Sequence, residues 1–229
     1  MSSLPPNVHI STHPCLQAKL SQLRSASTAA RDVKTLINEI TLILGTEALA
    51  SALTSSPGPE DKTPLNFPYQ TTTLLPSTIS LVPILRSGLS MVDPLSSLLP
   101  SPPPIHHLGL FREPSTLLPV EYYNNLPNHL TSPSSSTEKT PDLTIVLDPV
   151  IATGGTCAAA IQTLKEWGTK RILVLSILGA KPGVELAANE WPEGTEIWLA
   201  GLDTELTERG MLKPGMGDVG DRLFLTIGK

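Results

Sequence analysis

A short aliphatic segment that runs into a glycine turn and then into an alanine-rich segment most constrains the fold of this chain. Residues 143–147 (Leu-Thr-Ile-Val-Leu) are apolar and short enough to form a strand buried on both faces. Residues 157–167 have the apolar spacing and the alanine content of a helix. Gly154 and Gly155 lie between these segments. The pattern therefore predicts a strand–turn–helix unit whose turn ends at a helix start.

The turn of this unit has the composition of a phosphate-binding loop. The first backbone N–H groups of a helix lack partners and the helix dipole is positive there, so residues 153–156 can surround a phosphate with amide and hydroxyl donors. Asp148, at the end of the strand, is placed to bind sugar hydroxyls or a metal-bound water. The segment lacks the lysine of a Walker A loop and the G-x-G-x-x-G spacing of a dinucleotide fold. An ordinary turn with an N-cap threonine is the alternative for this segment alone.

Two arginines follow other predicted strands. The segment Ile79–Leu85 is a strand candidate that leads into Arg86 and an apolar helix over residues 89–99. A second strand candidate, residues 105–111, is followed by Arg112. The planar guanidinium group binds phosphate and diphosphate in a bidentate manner. A solvated surface cation is the alternative for either arginine taken alone.

Alternation of strands and helices predicts an α/β fold with a mostly parallel, twisted sheet and helices on both faces. Ligands bind at the carboxyl ends of the strands in such sheets, so Arg86, Arg112 and the Asp148 loop are expected to share one site. Residues 214–222 add a glycine-rich loop suited to close backbone contact with a flat ligand. Two N-terminal amphipathic helices are predicted over residues 16–24 and 28–53.

The remaining segments are predicted as follows. Residues 54–64 break all periodicity and predict an exposed loop, and residues 118–127 predict a hairpin or projecting β-arm. Residues 131–141 are polar and of low complexity, which predicts a mobile insertion. Buried strands are predicted at residues 171–179 and 196–200, with a short helix between them over residues 183–189.

Length and composition bound the protein class. The 229 residues suffice for one substantial domain, taken as residues 13–229 after a flexible N-terminus of residues 1–12. The net charge of −5 and the lack of a basic block argue against nucleic acid as a partner, and no apolar run reaches the ~20 residues that span a bilayer. Cys15 and Cys157 are far apart, which favours free thiols and a cytoplasmic location. Cys157 is interpreted either as a thiol whose pKa is lowered at a helix start or as a small residue packed beneath the loop.

Four blocks of the chain, in order, resemble the uracil phosphoribosyltransferase family: residues 82–93, residues 109–114 with 119–123, residues 148–156 and residues 214–222. The resemblance implies transfer of a phosphoribosyl group from 5-phosphoribosyl diphosphate to N1 of uracil, giving UMP and diphosphate, usually with Mg²⁺ carried mainly by the diphosphate. It also implies a homodimer or higher homo-oligomer, and GTP activation is known for some relatives.

The resemblance also implies roles for individual residues. Arg86 and Arg112 hold the diphosphate, Asp148 binds the ribose hydroxyls, and Asp218 reaches the phosphoribosyl donor or its metal beside uracil. The remaining positions implied to bind substrate are Pro149, Val150, Ile151, Ala152, Thr153, Gly154, Gly155 and Thr156 around the 5-phosphate, and Leu212, Gly217 and Val219 around uracil.

Departures from the family pattern keep two other functions open. Ser87 and Val219 replace usual alanines, and Met211-Leu212-Lys213 replaces an aromatic residue followed by two apolar ones. Most of these changes border the implied uracil pocket. The alternatives are a catalytically weak regulatory protein that binds phosphoribosyl diphosphate or UMP, and a phosphoribosyltransferase for another base.

Overall fold

A computed structural model describes residues 3–113, 116, 118–127 and 140–226, and of Arg112 only the backbone. In these ranges the strands are, in chain order, β1 (Val8–Ile10), β2 (Thr54–Lys62), β3 (Pro68–Leu75), β4 (Ile79–Leu85), β5 (Leu108–Arg112), β6 (Pro119–Asn124), β7 (Leu143–Leu147), β8 (Val150–Ile151), β9 (Arg171–Ala180), β10 (Thr195–Asp203), β11 (Glu205–Leu206) and β12 (Leu212–Lys213). The helices are α1 (Pro14–Arg24), α2 (Ala30–Ala52), a 3₁₀ helix (Ser87–Met91), α3 (Val92–Ser96), α4 (Gly155–Trp167), α5 (Lys181–Ala188) and α6 (Val219–Phe224).

The main sheet is eight-stranded, with the order β1-β10-β9-β7-β4-β5-β6 and with β8 paired to β9. All of these pairs are parallel except β5 with β6. Side chains on its strands alternate between two cores: Leu81 and Ile145 pack with α1, α2 and α3, whereas Val82 and Val146 pack with α4 and α5. The predicted α/β class is therefore confirmed, because period-two burial on both faces is what continuous aliphatic strands produce.

Most predicted elements are present with small changes at their ends. The strands predicted at 143–147 and 171–179 are β7 and β9, and the two N-terminal helices are α1 and α2. The helix predicted over residues 89–99 is shorter in the structure, because a 3₁₀ helix covers Ser87–Met91 and α3 spans Val92–Ser96. The tail segment 214–222 was predicted as a loop, yet its second half belongs to α6.

The prediction of an exposed loop over residues 54–64 is wrong. Residues 54–62 form β2, which pairs with β3 in a separate two-stranded hairpin with an irregularity between Pro57 and Glu60. Most side chains of β2 are exposed, so backbone pairing rather than burial organises this strand and no apolar alternation marks it. Residues 118–127, predicted as a hairpin or projecting β-arm of their own, contribute β6, which pairs antiparallel with β5 at the edge of the main sheet.

Two further predictions concern the ends of the described ranges. Residues 1–12 were expected to be flexible. Within them the structure has a strand that was not predicted, β1, which is hydrogen-bonded in parallel to β10. Residues 131–139 of the predicted polar insertion lie outside the described residues. Among the helices in the described ranges, none is both long and apolar enough to cross a bilayer.

Candidate functional site

A cleft of about 360 Å³ opens at the carboxyl ends of the central parallel strands. Three segments that are distant in sequence contribute most of its lining: residues 84–87 at the end of β4, most of residues 148–157 from the end of β7 into α4, and residues 217–220 of the tail. Parallel strands end at one edge of a sheet, and the tail is brought to the same edge by α6. The cleft therefore brings together the segments that the sequence marked separately.

Most of the predicted site residues line this cleft. They are Arg86, Asp148, Val150, Ile151, Ala152, Thr153, Gly154, Thr156, Gly217, Asp218 and Val219. Among the described residues, Pro149, Gly155 and Leu212 are not part of its lining, although each directly neighbours one that is. The side chain of Arg112 lies outside the described residues, but β5 ends at that position, beside the lining residue Phe111.

Residues 152–155 form a loop that is packed backbone against backbone. Gly154 has φ +85°, and α4 begins at Gly155 without a side-chain cap, so its first amides are available to an anion. A Cβ added at Gly154 would overlap the carbonyl of Gly183 at the start of α5, and one added at Gly183 would overlap the carbonyl of Ala152. Two glycines thus let the loop lie directly on α5.

Asp148 is a buried carboxylate at the end of β7. The residue is 8% exposed, and the amide of Val150 donates to its Oδ1 at 3.5 Å. Burial raises the pKa of Asp148 to about 7, and the hydrogen bond from Val150 offsets only part of that shift. A ligand that supplies hydrogen-bond donors or positive charge would therefore favour the ionised carboxylate.

Cys157 is buried under the same loop and lines the cleft. Its burial and, to a lesser extent, the negative charge of Asp148 raise the pKa of its thiol above the usual value. The interpretation of Cys157 as a thiol activated at a helix start is therefore wrong. The alternative, a small residue packed beneath the loop, agrees with the structure.

Arg86 stands where β4 gives way to the 3₁₀ helix, and the peptide bond that precedes it is cis. Its side chain is 55% exposed, and Nη2 lies 3.5 Å from Oδ1 of Asp221 in α6. Its guanidinium carbon is 5.6 Å from the centroid of the Phe224 ring. Arg86 is therefore oriented by the C-terminal helix while it remains open to the cleft.

The tail loop is tied to the body by two arginines. Arg24 forms a bidentate pair with Asp203, with Nη–Oδ distances of 2.6 and 3.1 Å, and donates to the carbonyl of Gly215 at 2.8 Å. The amide of Gly215 in turn donates to Asp203 at 2.9 Å. Arg222 donates to the carbonyls of Leu23 and Met216 at 2.6 and 2.7 Å. These contacts hold the segment that carries Asp218 against α1.

Sequence reasoning missed part of the lining. Phe111 and Tyr122 of the β5–β6 hairpin both line the cleft, and their ring centroids are 6.0 Å apart. Aromatic residues in a predicted hairpin were the available signal, but the position of that hairpin beside β4 was not predicted. Met211 and Val219, two of the departures from the family pattern, also line the cleft, whereas the exposed Lys213 pairs with Glu205 outside it.

The acidic groups of the cleft bear on metal binding. No cluster of three or more His, Cys, Asp or Glu side chains in the described ranges is arranged to hold a metal ion. Asp148 and Asp218 do line the cleft, and oxygen ligands of this kind suit Mg²⁺ that is carried by substrate phosphates and water. The donor set therefore fits a metal that arrives with a phosphorylated ligand.

Comparison with known proteins agrees with this geometry. The family model described as "Uracil phosphoribosyltransferase" matches residues 10–226. This chain belongs to the uracil phosphoribosyltransferase family. Among curated members of that family, the uracil phosphoribosyltransferase of Roseiflexus castenholzii is 43% identical over 219 residues, covering 96% of this chain and 98% of that protein.

Two other comparisons extend the family assignment. A putative uracil phosphoribosyltransferase of Schizosaccharomyces pombe is 38% identical over 218 residues, covering 95% of this chain and 90% of that protein. A solved protein structure from Aquifex aeolicus has a TM-score of 0.83 at 26% identity, covering 96% of this chain and 98% of that one. The uracil phosphoribosyltransferase resemblance seen in the sequence is confirmed over nearly the whole chain.

The contact between the loop and α5 makes a first prediction. Gly183→Ala places a methyl group against the backbone of Ala152 and Gly154, so the free energy of unfolding should fall by about 1–3 kcal/mol. Gly155→Ala is the matched control, because its methyl group meets only Pro119 at 3.5 Å and alanine favours the helix. Urea unfolding of both variants checks this. Equal losses would contradict the backbone contact.

Titration of Asp148 makes a second prediction. Because its folded-state pKa is raised, its contribution to stability is complete below the unfolded pKa of about 4 and is lost as pH rises through about 7. Relative to Asp148→Asn, which cannot ionise, the native free energy of unfolding should fall by about 2–3 kcal/mol between pH 5 and pH 8. Urea unfolding at both pH values measures the difference. Parallel pH curves would show that Asp148 titrates normally.

Proposed function

We propose that this protein is an active uracil phosphoribosyltransferase, which transfers the phosphoribosyl group of 5-phosphoribosyl diphosphate to N1 of uracil and releases diphosphate. The observation that carries the proposal is the cleft in which Arg86, the Asp148 loop and the Asp218 tail meet, in a chain whose family match spans residues 10–226. An anion-binding loop, a cation and a glycine-rich wall are the groups that this pair of substrates requires.

The donor is bound by the β7–α4 loop. Amides and hydroxyls of residues 152–156 surround the 5-phosphate at the uncapped start of α4. Asp148, at the floor of the loop, accepts the ribose hydroxyls. Because burial raises the pKa of its carboxyl group to about 7, donor binding near neutral pH favours its ionised form by supplying hydroxyl donors.

The diphosphate lies toward Arg86 and Arg112, at the ends of the adjacent strands β4 and β5. Asp148 and Asp218, which both line the cleft, would hold Mg²⁺ that the donor brings, and the ion would supply positive charge for the leaving diphosphate. Two guanidinium groups stabilise the same charge by bidentate hydrogen bonding. As the bond from the ribose carbon to diphosphate breaks, positive charge grows on the sugar, the bond to uracil N1 forms, and the N1 proton passes to solvent or to the released diphosphate.

Uracil is framed by Leu212, Gly217, Asp218 and Val219, largely through backbone groups. Gly217 has φ +75°, which lets the chain turn closely around a flat ring. A base edge matched to buried backbone groups rejects cytosine, whose amine leaves those groups unpaired. Rate acceleration then comes mainly from alignment of the two substrates and from electrostatics, since little proton transfer is needed.

The assembly and setting proposed for the protein follow the family. It acts in the cytoplasm as a homodimer or higher homo-oligomer, with the N-terminal helices and the 118–127 segment as contacts. GTP is a candidate activator for which the chain gives no location. The regulatory alternative receives no support from the comparisons. The other alternative, a phosphoribosyltransferase for a different base, is tested with a panel of substrates.

The test is UMP formation from uracil and 5-phosphoribosyl diphosphate with Mg²⁺, for the native chain and two variants. Asp218→Asn and Arg112→Ala should each lower kcat/KM by about 10²-fold or more, since each removes a charge that acts on the reacting centre. Lys213→Ala is the matched control, because it removes an exposed cation outside the cleft and should leave kcat/KM near the native value.

The substrate panel adds cytosine and purine bases, none of which should be converted. Absence of native turnover, together with tight binding of donor or UMP by calorimetry, would contradict the enzyme and favour a ligand-sensing protein. Turnover of another base in preference to uracil would contradict the assignment of the tail loop.

A further inference from the structure

Asp221 joins the two halves of the cleft and has no role in the function proposed above. Its backbone amide donates to Oδ1 of Asp218 at 2.9 Å, which caps the first turn of α6. Its own Oδ1 lies 3.5 Å from Nη2 of Arg86 and accepts from the hydroxyl of Thr226 at 2.5 Å. One residue thus contacts the base side through its backbone and the diphosphate side through its side chain.

A second residue of the same helix contacts the same arginine. The ring of Phe224 lies 5.6 Å from the guanidinium carbon of Arg86, a distance at which a cation is attracted to an aromatic face. Asp221 and Phe224 are three positions apart, so they project from neighbouring turns of α6. The guanidinium group is therefore held from two sides by one short helix.

The helix itself is fixed in place. Arg222, between these two residues, donates to the carbonyls of Leu23 and Met216, and also to that of Ser25 at 3.0 Å. Charge-assisted bonds to three carbonyls restrict the rotation and translation of so short a helix. Asp221 consequently has a defined position from which to orient Arg86.

We infer that Asp221 is a positioning residue that orients Arg86 for the diphosphate. The inference rests on the function proposed above. At 3.5 Å the pair is longer than a direct charge-assisted hydrogen bond, and Arg86 remains 55% exposed. The arginine is oriented but not sequestered, and its other N–H donors remain for an anion.

An opposing effect has to be weighed, because a carboxylate near an anion site also repels the anion. Oδ1 of Asp221 is engaged by Thr226 and Arg86, and solvent screens the rest of its charge. An unrestrained arginine, in contrast, loses considerable side-chain freedom each time it binds. We therefore expect the orienting effect of Asp221 to exceed its repulsion of the anion. Weaker donor binding after removal of its charge would indicate orientation, and tighter binding would indicate repulsion.

The experiment measures donor binding by calorimetry with Mg²⁺ and without uracil, together with kcat and both KM values. The variants are Asp221→Asn, Phe224→Leu and Arg86→Ala, singly and with each of the first two combined with the third. Asp221→Asn and Phe224→Leu should each weaken donor binding about threefold to fivefold, the range of a partly exposed pair. In the Arg86→Ala background neither should weaken it further, and KM for uracil should stay within about twofold throughout.

Thr226→Val is the matched control, since it removes the hydroxyl from Asp221 but leaves the carboxylate beside Arg86 and should leave donor binding unchanged. Additive losses in the Arg86→Ala background, or tighter donor binding by Asp221→Asn, would overturn the inference alone. A native protein that neither binds the donor nor converts uracil would overturn the proposed function, and this inference with it. Thermal unfolding of each variant verifies that it is folded.

Discussion

Because β4, β7 and β9 are hydrogen-bonded in parallel, with Pro83 opposite Leu147 and Leu147 opposite Leu175, all three strands end at the same edge of the sheet. The cleft lies at that edge, and the residues after β4 and β7 form two of its walls. Both faces of these strands are buried by aliphatic side chains, so a register slip would exchange two packed cores. The hydrophobic cores thus hold Arg86 and Asp148 at a fixed separation.

Close backbone packing then fixes the loops that leave this edge. A Cβ at Gly88 would overlap the carbonyl of Leu147, so the 3₁₀ helix lies directly against the end of β7. Gly154 and Gly183 create the same kind of contact between the β7–α4 loop and α5. Contacts between backbones leave little freedom for adjustment, which suits an anion site whose amides must be aligned before the ligand arrives.

Elements that bury residues at a regular spacing could be predicted from the sequence, whereas elements held by backbone pairing or by a few local contacts could not. Aliphatic strands such as β7 and the long stripe of α2 were predicted because each buried residue has neighbours at the expected spacing. The β2–β3 hairpin has exposed side chains along most of its length, and α6 is six residues long, so neither carries a periodic signal. The Asp148 loop was predicted because a strand, a glycine turn and a helix follow one another in the sequence. The position of Tyr122 and Phe111 in the cleft depends instead on the order of the strands in the sheet, which the sequence does not show.

The two halves of the cleft are held by different interactions. On the donor side a single methyl group would meet backbone, and the glycines of that loop are all present. On the base side the tail is held by Arg24, Asp203 and Arg222, whose side chains bind backbone groups away from the cleft. Between these anchors Met211 lines the cleft while its backbone pairs with Thr207, and Lys213 pairs with Glu205 in solvent. The base-side wall is therefore fixed through backbone contacts, and its side chains can differ without moving the backbone that forms it.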